Sequence, residues 1–364
     1  MKKQHFLIAI VLYVCAVFYL ASTTPISPHE AKILYTSNNI VSFLMQKGDA
    51  LFHHILGLRL FFIFCGFLSV FLFYHVSLLY LKSKKESYLA TTLFMMLPGI
   101  LTATTLVNVS ILVLPLVLLF VWLYEKGYFL PLIPILLALF FVHEASVIFF
   151  VALLLYGIFH HDRRLVILSS AFLASFVYLT KGITIGGRPS GHFLEIFGLY
   201  ATLFSPFVFL YFFYAMYRIL LREEKNLLWY ISFTAFAFSL LLSIRQRVYI
   251  TDFAPYVMGA VVLMLNLFNH SLYVRLPEFQ QSYRRIFSGV IALLVINALL
   301  IIFHQSLFLF LKDPSRHFAY RIYKPYFLVE QLKAKHLTCY QSVYGRERYQ
   351  LKYYNFLPCS QKSP

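Results

Sequence analysis

Hydrophobic and polar residues occur along this chain in long blocks rather than at short periods. Apolar runs recur from near the first residue to about residue 311, and short clusters that carry most of the charges separate them. A run of about 20 apolar residues is long enough to cross a bilayer as a helix. Runs such as 111–123 lack the two-residue alternation of barrel strands. The pattern therefore predicts an all-α polytopic membrane protein.

The apolar blocks delimit about eleven predicted spans. The first block follows Met1-Lys2-Lys3 and resembles a signal peptide, but more spans follow it, so we interpret it as an uncleaved signal anchor. The approximate limits of the predicted spans are 5–21, 57–80, 87–106, 109–124, 128–142, 145–160, 164–180, 194–221, 227–243, 252–268 and 286–311.

The positions of the basic residues predict the orientation of these spans. With the N-terminus inside, the inner segments hold 14 of the 31 lysines and arginines, the outer loops hold 7, and the remaining 10 follow the last span. Cytoplasmic loops are enriched in Lys and Arg. We therefore expect the N-terminus in the cytoplasm, the C-terminal tail outside, and the protein in a bacterial plasma membrane.

Composition agrees with this class. The chain is 60% hydrophobic and only 12% charged, with a net charge of +17. Such a charge is typical of nucleic-acid binding in soluble proteins, but here cationic loops next to an anionic inner leaflet explain it. We predict membrane lipids, and no nucleic acid, as partners.

The segment after the last span is predicted to be a second, small extracytoplasmic domain of mixed α/β structure, 312–364, beside a transmembrane domain, 1–311. It is polar and rich in Tyr, and we expect short strands at 340–344 and 349–356 around a turn at Gly345-Arg346. Cys339 and Cys359 in such a segment indicate a disulfide, with two free thiols as the alternative.

The first outer loop, about 22–56, contains a polar cluster that is candidate chemistry. Ser27-Pro28-His29-Glu30 has the spacing of a helix N-terminus, in which Ser27 caps the helix and Glu30 completes a capping box. Glu30 therefore has a structural interpretation as a cap, beside a chemical one as a catalytic base or a metal ligand at the outer face. The apolar residues of the loop predict an amphipathic segment on the membrane surface.

Further ionisable residues fall at predicted outer ends of spans. Arg59 lies at the start of the second span, either as an interfacial anchor or as a clamp on a phosphate. His143-Glu144 interrupts an apolar stretch, where such groups are functional or paired, with Lys181 as one predicted partner. Arg245, Arg247 and Tyr249 precede a late span, and two arginines there suit an anionic headgroup or a diphosphate.

Taken in order, these features resemble the GT-C superfamily of polyprenyl-phosphate-dependent glycosyltransferases, which includes protein O-mannosyltransferases and lipid A aminoarabinose transferases. The features are the first span, the acidic outer loop, Arg59, the turn at His143-Glu144 and the segment from Arg245 to Pro255. Three positions depart from the family pattern. The loop pair is His-Glu rather than two acids, His143-Glu144 replaces a Lys-containing signature, and Asn108 stands where many relatives carry an acid.

The resemblance implies an inverting transfer of a sugar from a polyprenyl-phosphate donor to a lipid, glycan or protein acceptor. Glu30, His29 and Asp49 would then be catalytic, while substrate would be bound by Arg59, His143, Glu144, Lys181, Arg245, Arg247 and Tyr249. No cofactor is predicted with certainty, and a divalent metal is left open. The alternatives are a transporter or flippase of lipid-linked sugars, an O-antigen-type polymerase, and a structural membrane subunit.

Overall fold

The computed structural model describes residues 1–180, 191–337, 339–340 and 345–359. Lys181, a predicted substrate-binding residue, lies outside these ranges. The described chain is mainly helical, as the apolar blocks predicted. The helices of the first half are α1 (Lys3–Thr23), α2 (Pro28–Thr36), α3 (Ile40–Leu51), α4 (Ile55–Tyr80), α5 (Lys84–Met96), α6 (Pro98–Thr105), α7 (Ser110–Glu125), α8 (Leu132–Val142), α9 (Ser146–Phe159) and α10 (Arg163–Thr180).

The second half continues with helices and ends in a short sheet. The helices are α11 (Phe193–Phe204), α12 (Pro206–Arg222), α13 (Leu227–Ser243), α14 (Ile250–Val257), α15 (Val261–Val274), α16 (Pro277–Ile302), α17 (His304–Leu307), α18 (Tyr320–Ala334) and α19 (Glu347–Tyr353). Single 3-10 turns occupy Met258–Ala260 and Pro314–Arg316, and the strands are β1 (Cys339–Tyr340) and β2 (Leu357–Pro358).

The helices that are long and apolar enough to cross a membrane are fewer than the predicted spans. In the described residues four qualify, namely α1, α4, the continuous segment Ile250–Val274, and α16. Two bent pairs, α5 with α6 and α11 with α12, raise the number to six if each pair counts as one span. Several other apolar blocks form helices of 10–17 residues. An integral membrane protein is therefore supported, but the count of about eleven spans is not confirmed.

Proline explains where the bent pairs break. Pro98 follows Leu97, an extended residue that ends α5, and the two helices diverge by 62°. The residue before a proline is disfavoured in the helical conformation, so a helix tends to end there. Ser205, before Pro206, has φ +78°, and α11 and α12 diverge by 108°. A continuous apolar block in the sequence therefore does not guarantee a continuous helix.

The chain divides into two compact units. Unit 1 comprises Met1–Tyr13, Cys65–Ala103 and Val109–Ala298, and unit 2 comprises Val14–Phe64, Thr104–Asn108 and Leu299–Pro364. The predicted boundary between 311 and 312 does not appear in this division, because the tail is grouped with the first outer loop.

Unit 1 is a bundle with an aromatic core. α9 packs against α10 and α13, α14 against α7 and α13, and α11 against α12. Fully buried rings include Phe120, Phe149 and Tyr256, and the Phe120 and Phe149 rings meet edge to face at 5.2 Å. Small polar residues such as Ser169 and Ser232 are also buried, and each donates its hydroxyl to a backbone carbonyl. This packing fixes the helix ends at which unit 1 carries its ionisable groups.

Unit 2 contains the tail and the first outer loop. β1 and β2 pair in parallel, and a disulfide joins Cys339 to Cys359. α19 packs on α2, and the Gln350 amide donates to the Ile26 carbonyl over 2.6 Å. A small core of Val329, Leu332, Tyr340, Leu351 and Phe356 lies under these elements.

The predicted strand at 349–356 is wrong, because most of this segment forms α19. The aromatic content of the segment favoured a strand. Glu347 in the first turn and Lys352 in the last turn favour a helix, because these charges oppose the helix dipole. The predicted strand at 340–344 coincides with β1 only at Tyr340, and its other residues lie outside the described chain.

Candidate functional site

A cavity of about 730 Å³ in unit 1 brings together ionisable residues from two distant parts of the sequence. Its walls are mainly apolar. The residues that line it are His143, Glu144, Ala145, Val147, Ile148, Val151, Phe176, Leu179, Phe238, Leu242, Gln246, Arg247, Val248, Tyr249, Asp252 and Phe253. Four of the predicted substrate-binding residues, His143, Glu144, Arg247 and Tyr249, are therefore neighbours in space.

Helix ends explain why polar groups occur at this place. α8 ends at Val142 and α9 begins at Ser146, so His143 and Glu144 occupy the turn between two apolar helices. His143 is extended, with φ −155° and ψ 130°, which directs the chain out of the helical path. Tyr249 likewise precedes the first turn of α14. A cavity formed between helix ends can carry charge without placing it in the middle of a span.

Two side-chain contacts join the 143–146 turn to α14. His143 Nε2 lies 3.2 Å from Asp252 Oδ1, and the Tyr256 hydroxyl donates to Ser146 Oγ over 3.4 Å. Asp252 and Tyr256 are four residues apart and therefore lie on one face of the helix. The Asp252 side chain is 32% exposed and that of His143 is 19% exposed. These contacts hold Asp252 in position while leaving it accessible from the cavity.

The backbone near Asp252 is supported by a hydrogen bond that compensates for a proline. Pro255 lies inside α14 and has no N–H to donate to the carbonyl four residues earlier, that of Thr251. Ser110 Oγ donates to this Thr251 carbonyl over 2.7 Å. Since an unpaired buried carbonyl is costly, Ser110 stabilises the turn that presents Asp252.

Arg247 provides the positive charge of the cavity. Its Nε and Nη2 donate to Glu195 Oε1 at 2.9 and 2.6 Å, and Glu195 Oε2 lies 3.0 Å from His192 Nδ1. The Arg247 side chain is 70% exposed. Among the described residues none accepts a hydrogen bond from its Nη1. The guanidinium is thus oriented by Glu195 and still offers donors to a ligand.

Arg245 differs from Arg247. It is exposed and does not line the cavity, although the two arginines are only two residues apart. Gln246 and Val248 line the cavity together with Arg247 and Tyr249. The predicted assignment of both arginines to one ligand is therefore not reflected in the cavity lining.

Glu30 and Arg59 form a buried ion pair within unit 2. Each side chain is 1% exposed, and Arg59 Nη2 lies 2.9 Å from Glu30 Oε2. Arg59 Nε donates to Glu30 Oε1, and the remaining guanidinium hydrogens reach the carbonyls of Ala21, Thr24 and Pro25.

The carboxylate of Glu30 is equally occupied. Oε1 accepts from Arg59 and from the backbone N–H of Val107 at 2.9 Å, and Oε2 accepts from Arg59 and from the backbone N–H of Ser27 at 2.7 Å. Ser27 Oγ in turn accepts from the Glu30 N–H, so the predicted capping box is present. In this arrangement Glu30 orders the start of α2, and Arg59 ties that helix to α4.

These contacts set the ionisation of Glu30. Burial alone would raise its pKa, but the Arg59 charge, the Arg59 hydrogen bonds and the N–H groups of Ser27 and Val107 outweigh burial, and the pKa of Glu30 is lowered. A general base needs an accessible lone pair within hydrogen-bond reach of its substrate. With four donors on its two oxygens, Glu30 would have to release one of them before it could accept a proton.

The other two predicted catalytic residues lie near Glu30 in sequence but are not hydrogen-bonded to it. Partial burial of the imidazole, followed by the positive charge of Arg346, lowers the pKa of His29 on α2. Asp49 lies on α3, and its charge adds to burial in raising the pKa of Tyr353 to about 12. Their catalytic roles stay predictions.

The unit 1 cavity has the groups to bind an anion, and carboxylates lie beside the anion-binding group. Arg247 can neutralise a phosphate, while Glu144 and Asp252 can accept a proton or a hydrogen bond from a sugar hydroxyl. The aliphatic and aromatic walls suit an apolar chain. In the part of the chain that the structure describes, no group of three or more His, Cys, Asp or Glu side chains is placed to hold a metal ion.

Comparison with known structures identifies this architecture. ArnT from Cupriavidus metallidurans, determined in the apo state, superimposes with a TM-score of 0.52 over 80% of this chain at 12% sequence identity. The chain therefore shares the fold of ArnT over most of its length. It spans less than two thirds of ArnT, 63% of that chain. No family model and no curated protein matches the sequence.

The fold shared with ArnT agrees with the resemblance drawn from short motifs, but the motifs did not assign every residue of the cavity. No sequence motif assigned a role to Asp252 or connected Glu195 to Arg247. The signal for Asp252 was its place three residues after Tyr249 and three before Pro255. Its pairing with His143 spans more than one hundred residues, which no local pattern can indicate.

Proposed function

We propose that this GT-C protein is a membrane glycosyltransferase that moves a sugar from a polyprenyl-phosphate donor to an acceptor at the extracytoplasmic face. The observation that carries the proposal is the cavity of about 730 Å³ in which Arg247 lies beside Asp252, Glu144 and His143 within apolar walls. A lipid-phosphate sugar has the same three parts: an apolar chain, an anionic phosphate and a polar sugar.

Each part of the donor has a matching group in the cavity. The phosphate would accept hydrogen bonds from the Arg247 guanidinium, which Glu195 holds in position. The lipid would lie against residues such as Phe176, Leu179 and Phe238. The sugar hydroxyls would face Glu144 and Tyr249 at the mouth.

The transfer would proceed by direct displacement. The acceptor oxygen or nitrogen attacks the anomeric carbon, the bond from that carbon to the phosphate oxygen breaks, and the lipid phosphate leaves with the electron pair. Arg247 stabilises the charge on the leaving phosphate. Asp252, held by His143, takes the proton from the acceptor. One displacement of this kind inverts the anomeric centre.

Glu30 is the competing candidate for the base, as the sequence resemblance implied. We favour Asp252 because it is accessible from the cavity, whereas both oxygens of Glu30 accept hydrogen bonds from groups of its own unit. Glu30 would qualify only in a state in which the ion pair with Arg59 is open.

A reconstituted transfer assay tests the proposal. The full chain in detergent is given a polyprenyl-phosphate sugar and cell-envelope acceptors, and products are followed by mass spectrometry. Asp252→Asn and Arg247→Gln should each lower the rate about a hundredfold, the range for losing a charged group at a reacting centre. Arg245→Gln is the matched control, because Arg245 does not line the cavity, and it should retain the wild-type rate.

The same assay separates this function from transport. A flippase moves its lipid across a membrane and leaves the sugar on the donor, so detergent-solubilised protein would yield no product. Equal losses for Arg245→Gln and Arg247→Gln would refute the cavity as the donor site. Full activity of Asp252→Asn together with loss in folded Glu30→Gln would transfer the role of base to Glu30.

A further inference from the structure

Two buried histidines in unit 2 fasten the connection between α16 and the tail. α16 ends at Ile302, and the connection runs through α17 and the 3-10 turn at Pro314–Arg316 to the start of α18. His304 and His317 lie in it and are 6% and 4% exposed. The proposed sugar transfer uses neither residue. Since buried polar groups are normally paired, the partners of the two rings indicate what the rings do.

The contacts of His317 require a neutral ring. Its Nδ1 accepts a hydrogen bond from the backbone N–H of Ala319 over 3.0 Å, so this nitrogen carries no proton. Its Nε2 lies 3.0 Å from the carbonyl oxygen of His304 and donates the single N–H of the ring to it. The ring also stacks on Phe308, with the centroids 3.8 Å apart. A second proton, on Nδ1, would face the Ala319 N–H and break that contact.

His304 is also held as a neutral ring. Its Nδ1 lies 2.8 Å from the carbonyl oxygen of Ile301 and donates to it, which leaves Nε2 as the acceptor. Nε2 lies 2.9 Å from the Tyr323 hydroxyl, and this hydroxyl accepts from Gln305 Nε2 over 2.9 Å. Gln305 Nε2 also donates to the carbonyl of Thr23, the last residue of α1, over 2.8 Å. The neutral ring therefore joins α17 to α18, and Gln305 extends the network to α1.

In the described part of the chain, no carboxylate forms an ion pair with either ring. The titratable and charged groups that act on this network, besides the two histidines themselves, are Tyr323 on α18, Tyr19 on α1 and Arg59 on α4. Asp313, the acid of the same connection, accepts from the N–H of Ser315 instead. A proton on either ring would therefore lack a negative partner, and burying an unpaired charge is costly.

We propose that His304 and His317 form an acid-sensitive latch, which is closed while both rings are neutral and opens the connection between α16 and α18 when they are protonated. A proton from solvent would occupy Nδ1 of His317 or Nε2 of His304. The Ala319 N–H or the Tyr323 hydroxyl would then lose its acceptor.

The direction of the pH effect follows from His304, which lies beyond the end of α16. Burial is the main reason that the pKa of His304 is lowered from 6.5, and the charge of His317 adds to it. The neutral form is thus favoured in the closed latch. Its contribution to stability is complete above about pH 6.5 and is lost as the pH falls through the folded pKa. The latch is closed at neutral pH and opens in mild acid.

Hydrogen–deuterium exchange of the full chain in detergent, followed by mass spectrometry, tests the latch. The exchange rate of peptides from 303–323 is measured at pH 7.5 and 5.5, and each rate is divided by the intrinsic rate at that pH. The corrected rate should rise about tenfold at pH 5.5, the factor for one histidine that titrates near 6.5 only after opening. Peptides of α13, which contains no histidine, are the internal reference and should not change.

His304→Gln/His317→Asn removes both titrating rings, so its corrected rate should be the same at the two pH values. The amide oxygen introduced at 317 keeps an acceptor for the N–H two residues further on. The matched control is His336→Asn in the same unit. His336 is exposed and has φ +53°, a conformation that Asn tolerates. This control should retain the tenfold response.

A melting curve at pH 7.5 checks the folding of each variant, and the single variants His304→Gln and His317→Asn replace the double variant if it does not fold. Equal corrected rates of the wild type at both pH values, or an undiminished response in the folded variants, would overturn the latch. Glu30 cannot produce the response, because its pKa is lowered from 4.5 and it stays ionised at pH 5.5. The glycosyltransferase proposal would be unaffected by either result.

Discussion

At the residue scale, the Glu30–Arg59 pair uses its hydrogen-bonding capacity fully. Arg59 reaches three carbonyls besides the carboxylate, and Glu30 accepts from two backbone N–H groups besides the guanidinium. Breaking a buried pair by removing one partner leaves an uncompensated charge and costs about 3–5 kcal/mol. The pair therefore has a large structural role whichever residue acts as the base.

The lowered pKa of Glu30 predicts that the folded protein loses stability at acid pH. The pKa of Glu30 in the folded protein lies below 4.5, the value of an unperturbed glutamate side chain. Its contribution to stability is therefore complete above about pH 4.5 and is lost as the pH falls through the folded pKa. Melting temperatures of the detergent-solubilised protein should fall more steeply below that pH for the wild type than for Glu30→Gln.

At neutral pH Glu30→Gln should melt well below the wild type, while Glu144→Gln, at an exposed site, should change little. A Glu30→Gln melting curve that coincides with the wild-type curve at every pH would contradict the structural role.

Ser110 permits a second test at this scale. Ser110→Ala removes the donor to the Thr251 carbonyl next to Asp252 and should cost about 1–3 kcal/mol, the penalty for an unsatisfied buried acceptor. Catalytic rate should fall as well, since the turn that holds Asp252 loses its support. Ser175→Ala is the control, because Ser175 is exposed and bonds only within its own helix. Similar losses of stability in both variants would argue against the compensation at Pro255.

At the element scale, close backbone approach decides how α3 meets α4. A Cβ on Gly57 would collide with the carbonyl oxygens of Phe52 and Gly48, and a Cβ on Gly48 would collide with that of Gly57. Backbone atoms cannot move aside as a flexible side chain can. The predicted limits put Gly48 in the first outer loop and Gly57 at the start of the second span. Only the packing shows that the two glycines allow two helix ends to touch.

Alanine substitution tests this contact. Gly57→Ala should lower the melting temperature strongly, by the equivalent of roughly 2–4 kcal/mol, because the backbone must shift. Gly198→Ala is the matched control. A Cβ there meets nothing within 4 Å among the described residues, so this helical substitution should be neutral or slightly stabilising. Equal melting temperatures of the two variants would show that α3 and α4 do not approach each other as closely as in the structure.

At the scale of the whole molecule, the disulfide and the predicted topology make a joint prediction. Cys339 and Cys359 are 20 residues apart, and closing a loop of this size contributes about 3 kcal/mol. Disulfides persist in oxidising compartments, so the tail should be extracytoplasmic. In intact cells, a membrane-impermeant maleimide should label the tail only after reduction.

The remaining cysteines provide the control for that experiment. Cys15 and Cys65 are free and lie in α1 and α4, so Cys339→Ser/Cys359→Ser should abolish the reduction-dependent label. Labelling of the tail without reductant would contradict the disulfide. A tail that is labelled only after the cells are lysed and reduced, and not in intact reduced cells, would lie inside.

The class of the protein and several local features follow from the amino-acid sequence alone, because these depend on composition and short spacings. Long apolar blocks gave a helical membrane protein, Ser27 and Glu30 gave a capping box, and an ordered set of weak motifs gave the GT-C resemblance. Each is a property of neighbours in the chain. Charge counts gave an orientation in the same way, and this orientation stays a prediction.

Which ionisable groups share a site depends on the packing of distant segments in the folded chain. It placed Arg247 in the cavity and Arg245 outside it, joined His143 to Asp252 across the sequence, and enclosed Glu30 with Arg59. It also divided apolar blocks at Pro98 and Pro206 and made a helix of the predicted strand at 349–356. These outcomes depend on contacts between distant segments, on backbone breaks and on burial, and none of these can be read from the local pattern of side chains.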